Sequence, residues 1–221
     1  MHFGQNNPEH TYFLNDTQIC DCKEEKDLGI TFDPTSKFKI HKNNIVSKGN
    51  QIVALIKRNF DYLNTENLSL LYKSLVRPHL EYGQSVWSPF LINEQNSLEK
   101  VQRRATKLLP NLKNLPYEQR LKLLNLPSLK YRRLRGDLIE VYNILHTENQ
   151  TLFKLNNDER TRGHNLKLKK EQCRIDIRKH SFTLRVINEW NNLNDNVVNA
   201  KNINEFKNRL DKQLSHLKYT V

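Results

Sequence analysis

Apolar residues recur along this chain with a period that changes near residue 34. Before it, short apolar pieces meet turn formers: Thr11-Tyr12-Phe13-Leu14 runs into Asn15-Asp16, and Leu28-Gly29-Ile30-Thr31-Phe32 runs into Asp33-Pro34. This pattern predicts two or three strands joined by tight turns. A piece of two or three strands is marginal alone, so these strands need a sheet to join. From Phe38 the spacing becomes helical. Phe38, Ile45, Ile52, Ile56 and Phe60 predict one helix, with Gly49 as a weak point inside it. Thr65 suits the N-cap of a second, carrying Leu68, Leu71, Tyr72 and Leu75, which Pro78 kinks or ends.

Asn93 suits the cap of a third helix with the stripe Leu98, Val101, Ala105 and Leu108, stopped at Pro110. Pro116 fits the first turn of a short helix with Leu121 and Leu124. Ser128 caps a longer one, where Leu134, Leu138, Val141 and Leu145 form a buried stripe. Residues 149–159 are polar and without periodicity, which predicts a linker. Beyond it Leu166-Lys167-Leu168-Lys169 and Arg174-Ile175-Asp176-Ile177-Arg178 alternate like strands, and helical patterns return at Phe182 to Leu193 and Ile203 to Leu217. The expected fold is mostly α, with strands over 1–33, a helical domain over 36–148 and a small α+β module over 160–221.

The 221 residues are enough to bury a core, and 37% hydrophobic with 27% charged residues place the chain among globular proteins, not disordered ones. Thirty-six Lys and Arg face 24 Asp and Glu, for a net charge of +12, which favours polyanionic partners. The charge is segregated. Residues 93–135 hold eleven cations and three carboxylates, 160–185 hold nine and two, and 15–33 hold two and six. Within the first block, Lys100, Arg103, Arg104 and Lys107 follow an i, i+3, i+4, i+7 spacing that puts four cations on one side of one helix. Arg132, Arg133 and Arg135 add a second cluster. Segregated charge of this kind is what phosphate contacts require, and a solvated basic surface is the plainer alternative.

Other chemistry is hard to assemble. No Asp-Asp pair occurs, and scattered Asp16, Asp21, Asp27 and Asp33 read as turn residues. All six glycines are isolated, which excludes a P-loop and a dinucleotide fingerprint. Ser181 with His180, or Cys173 with His164, lacks the spacing of a nucleophile and its base. Cys20-x-Cys22 with His10 or His41 lacks the usual gap and a second cysteine pair, so no metal is expected and no cofactor. Three unevenly spaced cysteines, no signal peptide and no membrane-length apolar run predict an intracellular chain, in nucleus or cytoplasm, that is not secreted. Tyr82, Trp87 and Phe90 lie beside the basic helix, interleaved with Leu80, Val86 and Leu91, and read as core.

The stretch Ser74-Leu75-Val76-Arg77-Pro78-His79-Leu80-Glu81-Tyr82-Gly83-Gln84-Ser85-Val86-Trp87-Ser88-Pro89, followed by Leu98-Glu99-Lys100-Val101-Gln102-Arg103-Arg104-Ala105-Thr106-Lys107, resembles a segment of LINE-type (non-LTR) retrotransposon reverse transcriptases of the jockey group. That segment lies just downstream of the polymerase core. The resemblance continues through Leu126-Pro127-Ser128-Leu129-Lys130-Tyr131-Arg132-Arg133-Leu134-Arg135-Gly136-Asp137-Leu138 and Trp190-Asn191-Asn192-Leu193. It implies that 1–33 are the last strands of a palm, 36–148 a thumb that cradles template-primer duplex, and 160–221 a C-terminal module. It also implies that the aspartates holding the catalytic metals are missing from this chain, whose parent family is RNA-directed DNA polymerase. Leu28-Gly29 is similar to the short apolar-Gly turn such enzymes use as a primer grip. The expected function is therefore non-catalytic binding of template-primer RNA or DNA, regardless of sequence, by Lys100, Arg103, Arg104, Lys107, Arg132, Arg133 and Arg135, with no membrane and no small-molecule substrate. Two alternatives stand beside it: an inert remnant or protein-interaction module, and a truncated gene model of an active polymerase.

Overall fold

A computed structural model describes residues 1–4, 7–147, 152–156 and 163–221. Most of these are helical, with two small antiparallel sheets at the N-terminal end. Each sheet is a single hairpin. Strand β1 (Phe13–Leu14) pairs with β2 (Thr17–Gln18), Phe13 opposite Gln18, and β3 (Glu25–Asp27) pairs with β4 (Ile30–Phe32), Glu25 opposite Phe32. Asn15-Asp16 and Leu28-Gly29 make the two turns, all four residues with positive φ, as two-residue hairpin turns matched to strand twist require. Leu28-Gly29 is thus the turn itself, not the start of a strand. Of the strand residues only Ile30 is buried.

Helix α1 (Lys39–Asn59) follows at once. Its buried stripe is His41, Lys42, Gly49, Val53 and Ile56, while Ile45 and Ile52 are half-buried and Phe60 is exposed. The stripe is therefore rotated from the one the isoleucines predict, because the bare backbone at Gly49 lets neighbouring side chains come close: a Cβ there would lie 3.1 Å from Val101 Cγ1 and 3.2 Å from Leu80 Cδ2.

Asn64, not Thr65, caps α2 (Thr65–Leu71), its side chain accepting the Asn67 N–H at 2.7 Å. Before Pro78 the chain widens into one π turn, Tyr72–Val76, in which the Arg77 N–H reaches back to the Tyr72 carbonyl, and then continues as α3 (Arg77–Glu81). A proline cannot donate to the carbonyl four residues earlier, and the π turn absorbs that mismatch without breaking the rod. Short α4 (Gln84–Trp87) precedes α5 (Ile92–Ala105), which starts one residue ahead of Asn93 and carries no side-chain cap at Leu91. A 3₁₀ turn at Pro110–Leu112 and α6 (Tyr117–Leu123) lead to α7 (Leu129–Leu145), where Ser128 accepts the Tyr131 N–H at 3.2 Å as its capping pattern predicts.

Of the segment read as a linker, 152–156 is described and the rest lies outside the described residues. The strands expected over 166–169 and 174–178 do not form. Leu155 and Leu168 make one isolated bridge, and Asp176–Lys179 is a helical turn, α8, since no neighbouring strand supplies the ladder that alternation alone cannot. Helices α9 (Phe182–Asn191), α10 (Asp195–Val198) and α11 (Ile203–Gln213) complete the chain.

Two hydrophobic cores result. The first gathers Val53, Ile56, Tyr72, Val76, Trp87, Val101 and Leu121, and ends with Leu129. The second begins with Tyr131 and gathers Leu138, Val141, Trp190, Phe206 and Leu210. The cores part at the first turn of α7, so most of α7 packs with the C-terminal helices. Arg185 fastens them together: its guanidinium makes two 2.9 Å bonds to Asp137 and donates to the carbonyls of Gln84 and Ser85 across the junction. Among the described residues no helix is long and apolar enough to cross a membrane.

Candidate nucleic-acid interface

Helices α1 and α5 run parallel with a constant offset of fifty-two residues: Lys42 pairs with Glu94 and Gly49 packs on Val101. Their C-terminal ends therefore arrive together. There they enclose a cleft of about 450 Å³ whose rim carries Lys57, Arg104, Lys107 and Lys113 and whose floor is Val53, Ala54, Leu108 and Pro110. Among the described residues no carboxylate lines it. Both helices end here, and the negative end of each macrodipole favours cations in these last turns whether or not a ligand binds.

The row on α5 is open to solvent. Lys100, Arg103, Arg104 and Lys107 are all exposed, but α5 ends at Ala105, so only the first three share the helix and Lys107 stands in the turn beyond it, its N–H donating to the Arg104 carbonyl. Arg104 and Lys107 face the cleft, and Arg103 lies over the Tyr117 ring, 4.4 Å from its centroid. Beneath the row the surroundings are buried, and most of their polar groups are bonded, though Arg120 Nε has no partner. Glu99 accepts the Tyr117 hydroxyl at 2.6 Å and the Leu129 N–H at 3.1 Å, and burial holds its carboxyl above the usual range. Burial, with Glu99 beside it, also pushes the Tyr117 phenol far up. Arg120 is buried as well, donating to the Arg103 carbonyl and to Thr106 Oγ1, so one of the eleven cations of this block closes the end of α5 instead of facing solvent.

Arg132, Arg133 and Arg135 do not extend the row. Arg132 makes a two-pronged pair with Glu81 of α3. Arg135 does the same with Asp211 of α11, which also accepts the Tyr131 hydroxyl at 2.9 Å. Arg133 is only 7% exposed, among Glu99, Asp137 and Glu81. These three arginines sit where the two cores meet, and carboxylates from other helices match them. The pairs lie 51 and 76 positions apart along the chain, beyond any local pattern.

The Leu28-Gly29 turn stands against Tyr82, whose hydroxyl donates to the Leu28 carbonyl at 2.9 Å, and a Cβ on Gly29 would lie 3.2 Å from the Tyr82 ring. Leu28 itself is 81% exposed. The hairpin is held at the start of α1 by the Thr31 N–H, which donates to His41 Nδ1. From His41 to Lys57 is roughly 24 Å at 1.5 Å rise per residue, so the turn and the basic cleft occupy opposite ends of α1. Tyr82 is exposed, contrary to its reading as core, whereas Trp87 is buried and Phe90 stacks on His180 at 4.6 Å.

Sequence reasoning missed Lys57, Lys113 and the exposed Tyr62, which lines an adjoining cleft of about 630 Å³ sharing Lys57, Leu108 and Pro110 with the first. Only the parallel pairing of α1 and α5 brings them together. Among the described residues, no group of three or more His, Cys, Asp or Glu is placed to hold a metal ion. No protein family, no curated protein and no solved structure matches the chain.

Proposed function

We propose that this chain binds nucleic acid through phosphate contacts, without regard to base sequence and without catalysing nucleotide transfer. The observation that carries the reading is the open row Lys100, Arg103, Arg104, Lys107 running into a cleft with four cations on its rim and, among the described residues, no carboxylate. Cations arranged this way release counterions from a polynucleotide, which supplies affinity and no sequence information. The resemblance of residues 74–89 and 98–107 to the region behind the core of LINE-type reverse transcriptases supports the same reading, with RNA or DNA template-primer as the ligand. Arg132, Arg133 and Arg135 leave the interface and take a structural role.

The paired state of these arginines favours one rival, a helical interaction module or remnant whose basic charge is mainly structural. Replacing Arg104 and Lys107 by Ala separates the two readings. Arg103 is avoided because its loss would also unpack the Tyr117 ring. The parent should bind duplexes of unrelated sequence alike, with affinity falling steeply as salt rises. The double variant should flatten the log–log salt slope by about one to two, at about 0.9 per phosphate neutralised on duplex DNA. Its stability should stay within about 0.5 kcal/mol of the parent, as is usual for exposed charges. A variant that binds like the parent would hand the case to the rival. Magnesium-dependent primer extension by the purified chain would refute the absence of catalysis.

A further inference from the structure

We infer that the cleft at the joined C-terminal ends of α1 and α5 is a nucleotide subsite for an unpaired strand, with Tyr62 as its stacking platform. The inference rests on the phosphate-binding reading and adds which form of nucleic acid is preferred.

The cleft is divided chemically. Its floor of Val53, Ala54, Leu108 and Pro110 is apolar, and its rim of Lys57, Arg104, Lys107 and Lys113 is cationic. A ligand that matches both has a flat apolar part joined to an anionic part, as a nucleotide has, and about 450 Å³ falls in the range of small-ligand sites. Beside it Tyr62 is 94% exposed, on the wall of the cleft that shares Lys57, Leu108 and Pro110. A ring that exposed contributes almost nothing to the core, and it stands where a strand crossing the cationic rim would present its next base. Among the described residues one carboxylate, Asp61, lines the Tyr62 cleft, and it does not line the one that carries Arg104, Lys107 and Lys113.

Strand preference follows from geometry. Inside a duplex both faces of every base are covered by neighbours, so an exposed tyrosine has nothing to stack on. An unpaired base offers a free face, and stacking of this kind tolerates any sequence because every base has one.

The test uses the full chain with fluorescence anisotropy on a short oligo(U) strand, an oligo(dT) strand of equal length and a blunt duplex. The parent should bind both single strands more tightly than the duplex. Tyr62→Ala should lose about tenfold in single-strand affinity, within the span measured for base–aromatic stacking, and leave duplex affinity and the salt slope unchanged. Tyr62→Phe should restore the single-strand value. Single-strand binding by Tyr62→Ala equal to the parent's, or an equal loss on the duplex, overturns the inference while leaving the phosphate reading standing. Failure of the parent to bind any nucleic acid removes both. Tighter binding to phosphatidylserine vesicles than to either strand also overturns it, since a lipid headgroup would then be the anion the rim selects.

Discussion

Gly49 of α1 and Val101 of α5 meet closely: a Cβ on Gly49 would sit 3.1 Å from Val101 Cγ1. Both neighbours it would meet, Val101 and Leu80, are fully buried and have no room to retreat. The parallel pairing that builds the basic cleft therefore depends on a residue with no side chain.

Gly49→Ala should destabilise the protein by about 1 kcal/mol. Alanine gains up to about 1 kcal/mol of helix propensity, but overpacking a tight core costs about 1–3 kcal/mol. Urea denaturation reads the net sign. A stabilised variant would mean that α1 and α5 can separate by a few tenths of an ångström at no cost.

Arg185→Ala should be more damaging, by about 3 kcal/mol, because it strips buried Asp137 of both its charge-assisted hydrogen bonds and leaves only the Arg133 charge nearby. Asp137 has an almost fully buried side chain, and burial already holds its carboxyl above the usual range despite the Arg185 bonds. The deficit should shrink on acidification, as Asp137 takes up a proton and the uncompensated charge disappears. Chemical denaturation of parent and variant at neutral and mildly acidic pH measures both effects.

Asp211 gives the opposite pH signature. Burial alone would raise its carboxyl, but the bonds from Arg135 and Tyr131 outweigh that and leave it below the usual range. A lowered folded pKa means stability that is present above the unfolded value of 3.8 and lost as pH falls through the folded one. Asp211→Asn should cost only about 1 kcal/mol at pH 7, since the pair is half open to water and screened. That gap between variant and parent should shrink as the pH falls below 3.8 and close below the folded pKa, and a gap that persisted there would show that lost packing, not charge, was responsible.

Amide hydrogen exchange should grade the N-terminal residues. Strands β1 and β2 are fully exposed and pair only with each other, so their amides should exchange almost as freely as a loop. Strand β4, anchored by buried Ile30 and by the Thr31 bond to His41, should be slower, and the middle of α7 slowest. Protection of β1 and β2 equal to that of Leu138 would show that a surface not described here covers them.

Local chemistry accounts for what the sequence by itself determined. The helical majority, the Asn15-Asp16 turn, the Ser128 cap, the irregularity signalled by Pro78 and the outward cations of α5 follow from spacings of two to seven residues, within which side chains of one element see each other. The tertiary structure decided the rest. Ile45 and Ile52 look like the core face of α1, yet the glycine between them sets the buried face, because backbone proximity to Leu80 and Val101 outweighs the side-chain pattern. Residues 166–169 and 174–178 alternate like strands and remain without a sheet, because alternation cannot supply a neighbour. The sharpest case is charge. Lys100 and Arg132 are equally basic in the sequence, but Arg132 meets Glu81 across 51 positions while Lys57 and Lys113 come to stand beside Arg104 and Lys107. Whether a cation is spent inside the fold or left for a ligand depends on which carboxylate the chain brings within reach, and that is a property of the folded path alone.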